Sequence, residues 1–291
     1  MRRAAAVLGR EPVSSHRPPF GLSAAERFVV EFDDGSGAFV KAATNESTAS
    51  WLRQERRSLA IAGSRLGPDV LAWEEGSRPL LVTADLSSAY WPAAGDTDGR
   101  TLWRPGDVEA LLAALDALGD FGPLPDDLRA ADWPEPAWEK ILTGPALVEA
   151  GLCSAGWADR NGGAIIAVDR RARSRGSALV HGDVRSDNVC FLADGSARLV
   201  DWSESGRGDP DHDLIQLLAT LHLEGGPAPA SVLGGPAEPI VRLSGATIRR
   251  ALHPGTGPAW LHRVLLRLAA IDLAWVAAAL DIEPPAQTWA E

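Results

Sequence analysis

The sequence is short of several things, and each shortage closes off a class of protein. It has only two cysteines, Cys153 and Cys190, far apart and in no C-x-x-C pair. That leaves neither a disulfide framework nor a thiolate zinc site, and a reducing, cytoplasmic setting is expected. Basic residues are outnumbered, with 28 Lys plus Arg against 39 Asp plus Glu and a formal net charge of −11. General nucleic-acid binding needs a basic footprint, so no nucleic-acid partner is expected. The longest apolar stretch, residues 264–280, is broken by Arg267 and Asp272 and reads as an amphipathic helix, not a membrane span. The apolar run after Arg3 is too short for a signal-peptide core, so no membrane partner is expected either. A G-x-S-x-G nucleophile elbow is missing, and neither cysteine lies in a catalytic motif, which argues against a hydrolase or acyltransferase.

What is present is ordinary globular composition, 45% hydrophobic and 23% charged over 291 residues, enough for a sizeable core. Residues 27–43 read as a β-hairpin, with alternating Phe28, Val30 and Phe32, a turn at 33–37 and a return through Val40 and Lys41. A helix is expected from Asn45 to Ala62, capped by Asn45 or Ser47 and ended by Gly63. Strands are expected at 66–73 and 78–83. After Leu86 the pattern turns helical, with helices expected at 107–118, 144–152, 163–173, 211–223, 240–252 and 258–280. One more hairpin interrupts them, residues 189–192 returning as 197–200 through Asp194-Gly195. The Gly- and Pro-rich stretch 225–239 reads as a loop. The reading is α+β: a small antiparallel sheet with one helix in residues 1–86, and a larger, mainly helical part in 87–291.

The chemistry concentrates in Val180-His181-Gly182-Asp183-Val184-Arg185-Ser186-Asp187-Asn188 and the hairpin after it. Asp183 leaves an apolar run on a loop, and Asn188 returns to the same loop just before the next strand. The Asp194-Gly195 turn then brings Asp201 back beside that strand's start. Three oxygen-bearing side chains thus converge at one end of a hairpin, a set suited to a hard cation such as Mg²⁺ and to proton acceptance by the remaining carboxylate.

These motifs resemble those of the aminoglycoside phosphotransferase family of small-molecule kinases. The family's H-G-D-x-x-x-x-N matches His181 to Asn188, its metal-binding aspartate matches Asp201, and its G-D-P-x-x-D-L matches Gly208 to Leu214. The resemblance implies a protein-kinase-like two-lobed fold. It also implies ATP (or GTP) with Mg²⁺ as cofactors, Asp183 as catalytic base, and Asn188 and Asp201 as metal ligands. The alternative is a pseudokinase-type regulator that binds nucleotide without transfer.

The first third offers an independent check. Leu52, Glu55 and Leu59 fall on one helical stripe, and a core-facing glutamate needs a cationic partner. Lys41 on the adjoining strand supplies one, as in the kinase-fold lysine that contacts nucleotide phosphates. The competing reading pairs Glu55 with Arg53, Arg56 or Arg57 on an exposed face. By position only, Thr83, Ala84, Asp85 and Leu86 fall at the hinge whose backbone reads adenine. No G-x-G-x-x-G is present. Gly21 and Ser23 are the candidates for covering the phosphates, against a plain turn. There is no D-F-G, and the short step from Asp201 to Asp209 leaves no room for a peptide-cradling segment. The expected partner is therefore a small hydroxyl acceptor and not a protein, for instance an aminoglycoside or another cationic alcohol, with Asp187, Glu204 or Asp272 to meet its amines. The oligomeric state is not written in the sequence.

Overall fold

A computed structural model describes residues 2–18, 24–95, 100–174, 176–253, 255 and 258–286; Gly21 and Ser23 fall outside these. By contacts the chain forms two compact units, 1–131 with 177–210, and 132–176 with 211–291. This grouping cuts the chain elsewhere than the expected boundary at 86/87: residues 87–131 and the second hairpin fall with the N-terminal residues, the hairpin's return strand touching both the helix at 46–66 and the helix at 107–116.

In the first unit, β2 (Glu26–Glu31) and β3 (Gly37–Ala42) form the expected hairpin, with Phe28 opposite Val40. With β1 (Ser14–His16), β4 (Val70–Glu74) and β5 (Leu80–Ala84) they make one antiparallel sheet, ordered β1-β2-β3-β5-β4. Alternation sorts its side chains onto two faces. Val30, Phe32, Ala38, Val40, Leu80 and Val82 cluster with Ala4 of helix α1 (Arg2–Leu8), which the sequence reading had not foreseen. Lys41, one residue past Val40, points to the opposite face, where helix α2 (Glu46–Leu66) packs.

Helix α2 starts where expected. Asn45 Oδ1 accepts the Thr48 N–H at 2.9 Å, and Thr48 Oγ1 accepts the Asn45 N–H at 3.0 Å, a reciprocal cap. The expected stop at Gly63 is instead a kink: Gly63 takes φ 56°, which a glycine tolerates, and one more turn runs on to Leu66.

Beyond the sheet, α3 (Asp107–Asp116) tightens into a 3₁₀ turn at Ala117–Asp120. The expected second hairpin is β7 (Val189–Phe191) with β8 (Ala197–Leu199), Val189 facing Leu199. Around it, β6 (Ala178–Val180) pairs with β9 (Gly206–Gly208), a short ladder that brackets the loop and hairpin.

The second unit is helical. It contains α4 (Trp138–Thr143), α5 (Ala146–Glu149), α6 (Ala155–Arg171), α7 (His212–Leu223), α8 (Pro229–Val232), α9 (Ala237–Leu252) and α10 (Ala259–Ala279). Helix α6 begins well before the expected Gly163, because Ser154 caps it from the Trp157 N–H at 3.2 Å and Trp157, Ile165 and Val168 bury one stripe. Helix α8 lies inside the stretch read as loop. Trp138, Trp157 and Trp275 are fully buried in this unit. A buried ion pair ties α6 to α9: Arg242 Nε donates to Asp169 Oδ1 at 2.6 Å, while Asp169 Oδ2 accepts the N–H groups of Ala137 and Trp138 at the start of α4. Among the described residues no helix is long and apolar enough to cross a membrane.

Candidate active site

Strand β3, helix α2 and Asp201, two residues past the end of β8, deliver three charges to one point in the first unit. Lys41 Nζ donates to Glu55 Oε1 at 2.8 Å and to Asp201 Oδ1 at 2.9 Å. The Lys41 and Glu55 side chains are only 12% and 4% exposed, so Glu55 pairs with the strand lysine and not with a neighbouring arginine. Burial opposes charge on Lys41, yet the two carboxylates outweigh it and hold its pKa above the ordinary value. Burial raises Glu55, against the pull of Lys41 and a bond from the Trp202 backbone. Asp201 is also disfavoured by burial, but Lys41 prevails and its pKa lies below the ordinary value. Asp201 adopts a left-handed backbone, φ 63° and ψ 61°, a strained state for a non-glycine residue that aims its carboxylate back at Lys41.

The loop between β6 and β7 holds the second cluster. Asn188 Nδ2 donates to the Asp183 carbonyl at 2.9 Å and to Asp183 Oδ2 at 3.0 Å. Asp183 Oδ1 accepts from Arg185 Nη1 at 3.1 Å. Burial is the main influence on the Asp183 carboxyl and raises its pKa; Arg185 works against it. His181 braces the loop from behind. Its Nδ1 accepts the Asp183 N–H at 3.3 Å and its Nε2 lies 3.0 Å from the Val200 carbonyl, so the neutral ring with the proton on Nε2 satisfies both. Trp202 meets that ring edge-on at 4.7 Å. Because Asn188 Nδ2 bonds Asp183 twice, its amide oxygen and the Asp201 carboxylate are the hard oxygens that could hold Mg²⁺, which takes few protein ligands and fills the rest from phosphate and water. No group of three or more His, Cys, Asp or Glu able to hold a metal occurs among the described residues.

The remaining expected positions are mixed. Thr83 is buried and pairs with Phe39. The Ala84 N–H is taken by Asp69 O at 2.8 Å, and Leu86 O accepts both the Ala89 N–H and Trp91 Nε1. Asp85 turns its carboxylate onto Ser87 N at 3.0 Å. The acids expected to meet acceptor amines are otherwise engaged. Asp187 holds Arg185 through both oxygens, Glu204 pairs with Arg129 at 2.9 Å, and Asp272 is buried in α10. Only the Asp272 expectation is corrected, since that carboxyl is buried; charge sign alone does not reveal burial. Two features were missed in the sequence. Arg185 grips Asp183, a direction that residue spacing does not encode. Lys41 and Lys140 are the chain's two lysines within a Lys plus Arg total of 28, and that scarcity was a legible signal that Lys41 is special.

Comparison with known proteins agrees with this geometry. Viomycin phosphotransferase of Streptomyces vinaceus is 35% identical over 116 residues, which span 38% of this chain and 39% of that protein. A solved aminoglycoside phosphotransferase, a thermostable mutant in ternary complex with AMP-PNP and hygromycin B, superposes with a TM-score of 0.60 at 15% identity. That match covers 93% of this chain and 97% of the other. Choline kinase from Streptococcus pneumoniae gives 0.58 at 15% identity, over 94% and 96%. At such identities the likeness establishes the fold, which is the protein-kinase-like one expected from the motifs. A sequence model described as the phosphotransferase enzyme family matches residues 18–235, most of the chain and all of the cluster around Lys41, Asp183 and Asp201. The chain belongs to the phosphotransferase enzyme family.

Proposed function

We propose that the protein is an ATP-dependent small-molecule kinase that moves the γ-phosphoryl group to a hydroxyl of its acceptor. The observation that carries this reading is the meeting of Lys41, Glu55 and Asp201, with Asp183 and Asn188 bonded to each other on the loop that precedes the same hairpin. Lys41, oriented by Glu55, neutralises charge on the nucleotide phosphates. Asp183, fixed through one oxygen by Asn188 and the other by Arg185, accepts the acceptor's hydroxyl proton as that oxygen attacks phosphorus and the bond to the ADP oxygen breaks. Asn188 and Asp201 would hold Mg²⁺, which would supply positive charge against the phosphates. Within residues 83–86, the backbone groups without a partner already named would read the adenine edge, and Gly21 and Ser23 are the candidates for contacting the phosphates. Catalysis is then mostly positioning and electrostatics. The similar proteins are named for viomycin, aminoglycosides and choline, which favours a hydroxyl on a cationic small molecule. Nothing observed favours the regulator without transfer activity.

The test is release of the nucleoside diphosphate, ADP from ATP or GDP from GTP, over a panel of hydroxylated amines that includes viomycin, hygromycin B and choline. One acceptor should give nucleotide turnover and a phosphorylated product. Asp183→Ala should lower kcat by about 10²–10⁴ while calorimetry finds ATP affinity nearly unchanged. A fully active variant removes Asp183 from its role, and nucleotide binding without turnover on any acceptor sinks the kinase reading.

A further inference from the structure

Behind the Lys41 cluster lies a second set of contacts, buried and polar, between α2 and the segment after Asp201. Gln54 Nε2 donates to the Ser205 carbonyl at 2.9 Å, and Arg129 Nε donates to the same oxygen at 3.0 Å. The Ser58 and Ser205 hydroxyls share a hydrogen bond of 2.6 Å, and the Ser205 hydroxyl also bonds the Trp202 carbonyl. Gln54 is 5% exposed and both serines are 0% exposed. Apolar side chains of the same size would hold a helix against this segment about as firmly, since buried hydrogen bonds add little net stability. Directional bonds do something that apolar packing does not: they fix rotation and axial slip. Gln54 and Ser58 stand one turn apart on α2, and Glu55 lies between them in the chain. Their shared partner, Ser205, sits four residues beyond Asp201. Both carboxylates that grip Lys41 are therefore carried by the two elements this contact set joins.

We propose that Gln54, Ser58 and Ser205 are positioning residues for the reaction, a buried polar latch that holds Glu55 and Asp201 at the distances that pin the Lys41 ammonium. The kinetic consequence rests on the kinase reading above; the structural consequence does not. If the latch loosens, α2 drifts relative to residues 202–206, Lys41 loses one of its two carboxylate contacts, and its buried amine opens to a reagent in solution.

The chain's lysine content makes this measurable, because Lys140 is exposed and serves as an internal standard for the buried Lys41. Two variants keep volume while removing the bonds. Gln54→Leu leaves Ser205 O with its Arg129 partner. The double variant Ser58→Ala/Ser205→Ala removes both hydroxyls so that neither is orphaned. Each full-length protein is acetylated with a water-soluble succinimidyl ester, and Lys41 labelling relative to Lys140 is followed by peptide mass spectrometry. The ratio should rise several-fold in both variants. With an acceptor in hand, kcat should fall between about tenfold and about 10²-fold, with acceptor KM unchanged, as expected of a misplaced but intact site. A lower melting temperature with unchanged labelling and unchanged kcat, measured well below that temperature, would show mere packing and overturn the latch. If one variant does not fold, the other decides. A labelling response in a protein with no turnover on any acceptor keeps the latch and sinks the kinase reading instead.

Discussion

Gly182 stands between His181 and Asp183, where the backbone takes φ 80° and a Cβ would lie 2.5 Å from the Glu204 carbonyl oxygen. Both facts demand glycine, because an L side chain is strained there and backbone cannot easily yield. Gly182→Ala should therefore cost at least about 1–2 kcal/mol from the left-handed conformation alone. The displaced loop should also lose most turnover, which paired thermal unfolding and kinetic assays would register. An active and undiminished variant would show that the loop relaxes at no cost. At this scale much of the site was legible in the sequence. Glu55 on an apolar stripe demanded a cation, and Lys41 answers it. Arg185 was not legible as the partner of Asp183, since a long side chain's direction depends on what surrounds it. The arginine partners of Asp187 and Glu204 were not legible for the same reason.

Helix α2 carries Glu55, the cap at Asn45 and the residues of the proposed latch, so its N-terminal turn bears on the site as well as on stability. Replacing Asn45 by Ala removes the acceptor for the Thr48 N–H and should cost about 0.5–2 kcal/mol. A urea titration should show a lower midpoint with an unchanged slope. A changed slope would mean that the denatured chain, and not the cap, is responsible. Elements held by local signals were read from the sequence: both hairpins through their turns, and α2 through its cap and stripe. Elements held by distant partners were not. Strand β9 is Gly206-Arg207-Gly208, a poor strand sequence by propensity, and it forms because close neighbours require glycine. A Cβ on Gly206 would come within 2.8 Å of Ala131 N and Arg129 O. Its ladder with β6 joins residues 178–180 to 206–208, a pairing no local window contains. Helix α6 was expected only from Gly163, whereas it starts at Ala155 and carries Gly162 in its interior beside Leu142.

At the scale of the molecule, Asp272 couples stability to pH. Burial in α10 pushes its carboxyl up to about 7, and Ser244 and Thr247 of α9 oppose that shift less strongly. The folded chain then holds a proton that the unfolded chain releases near the ordinary carboxylate value. Stability from this group is full at acidic pH, declines as pH rises from about 4 to about 7, and is flat beyond. The drop totals about 4 kcal/mol for a shift of roughly three units. Asp272→Asn should flatten this part of the profile in unfolding titrations across the same range. A variant whose stability declines with pH as the parent does would assign the slope to other groups.

The first unit takes in chain twice, as 1–131 and again as 177–210. During translation, then, the sheet, α1 and α2 leave the ribosome long before the segment that completes their unit. Lys41 and Glu55 can meet early, while Asp201 and Ser205 arrive only after the intervening residues 132–176 have been made. Nascent chains stalled before residue 177 should stay sensitive to brief proteolysis, and those extended well past residue 210 should resist it. For this protein, synthesis order sets when the charged cluster can close: a growing polypeptide would hold its lysine by one carboxylate alone until the second is delivered.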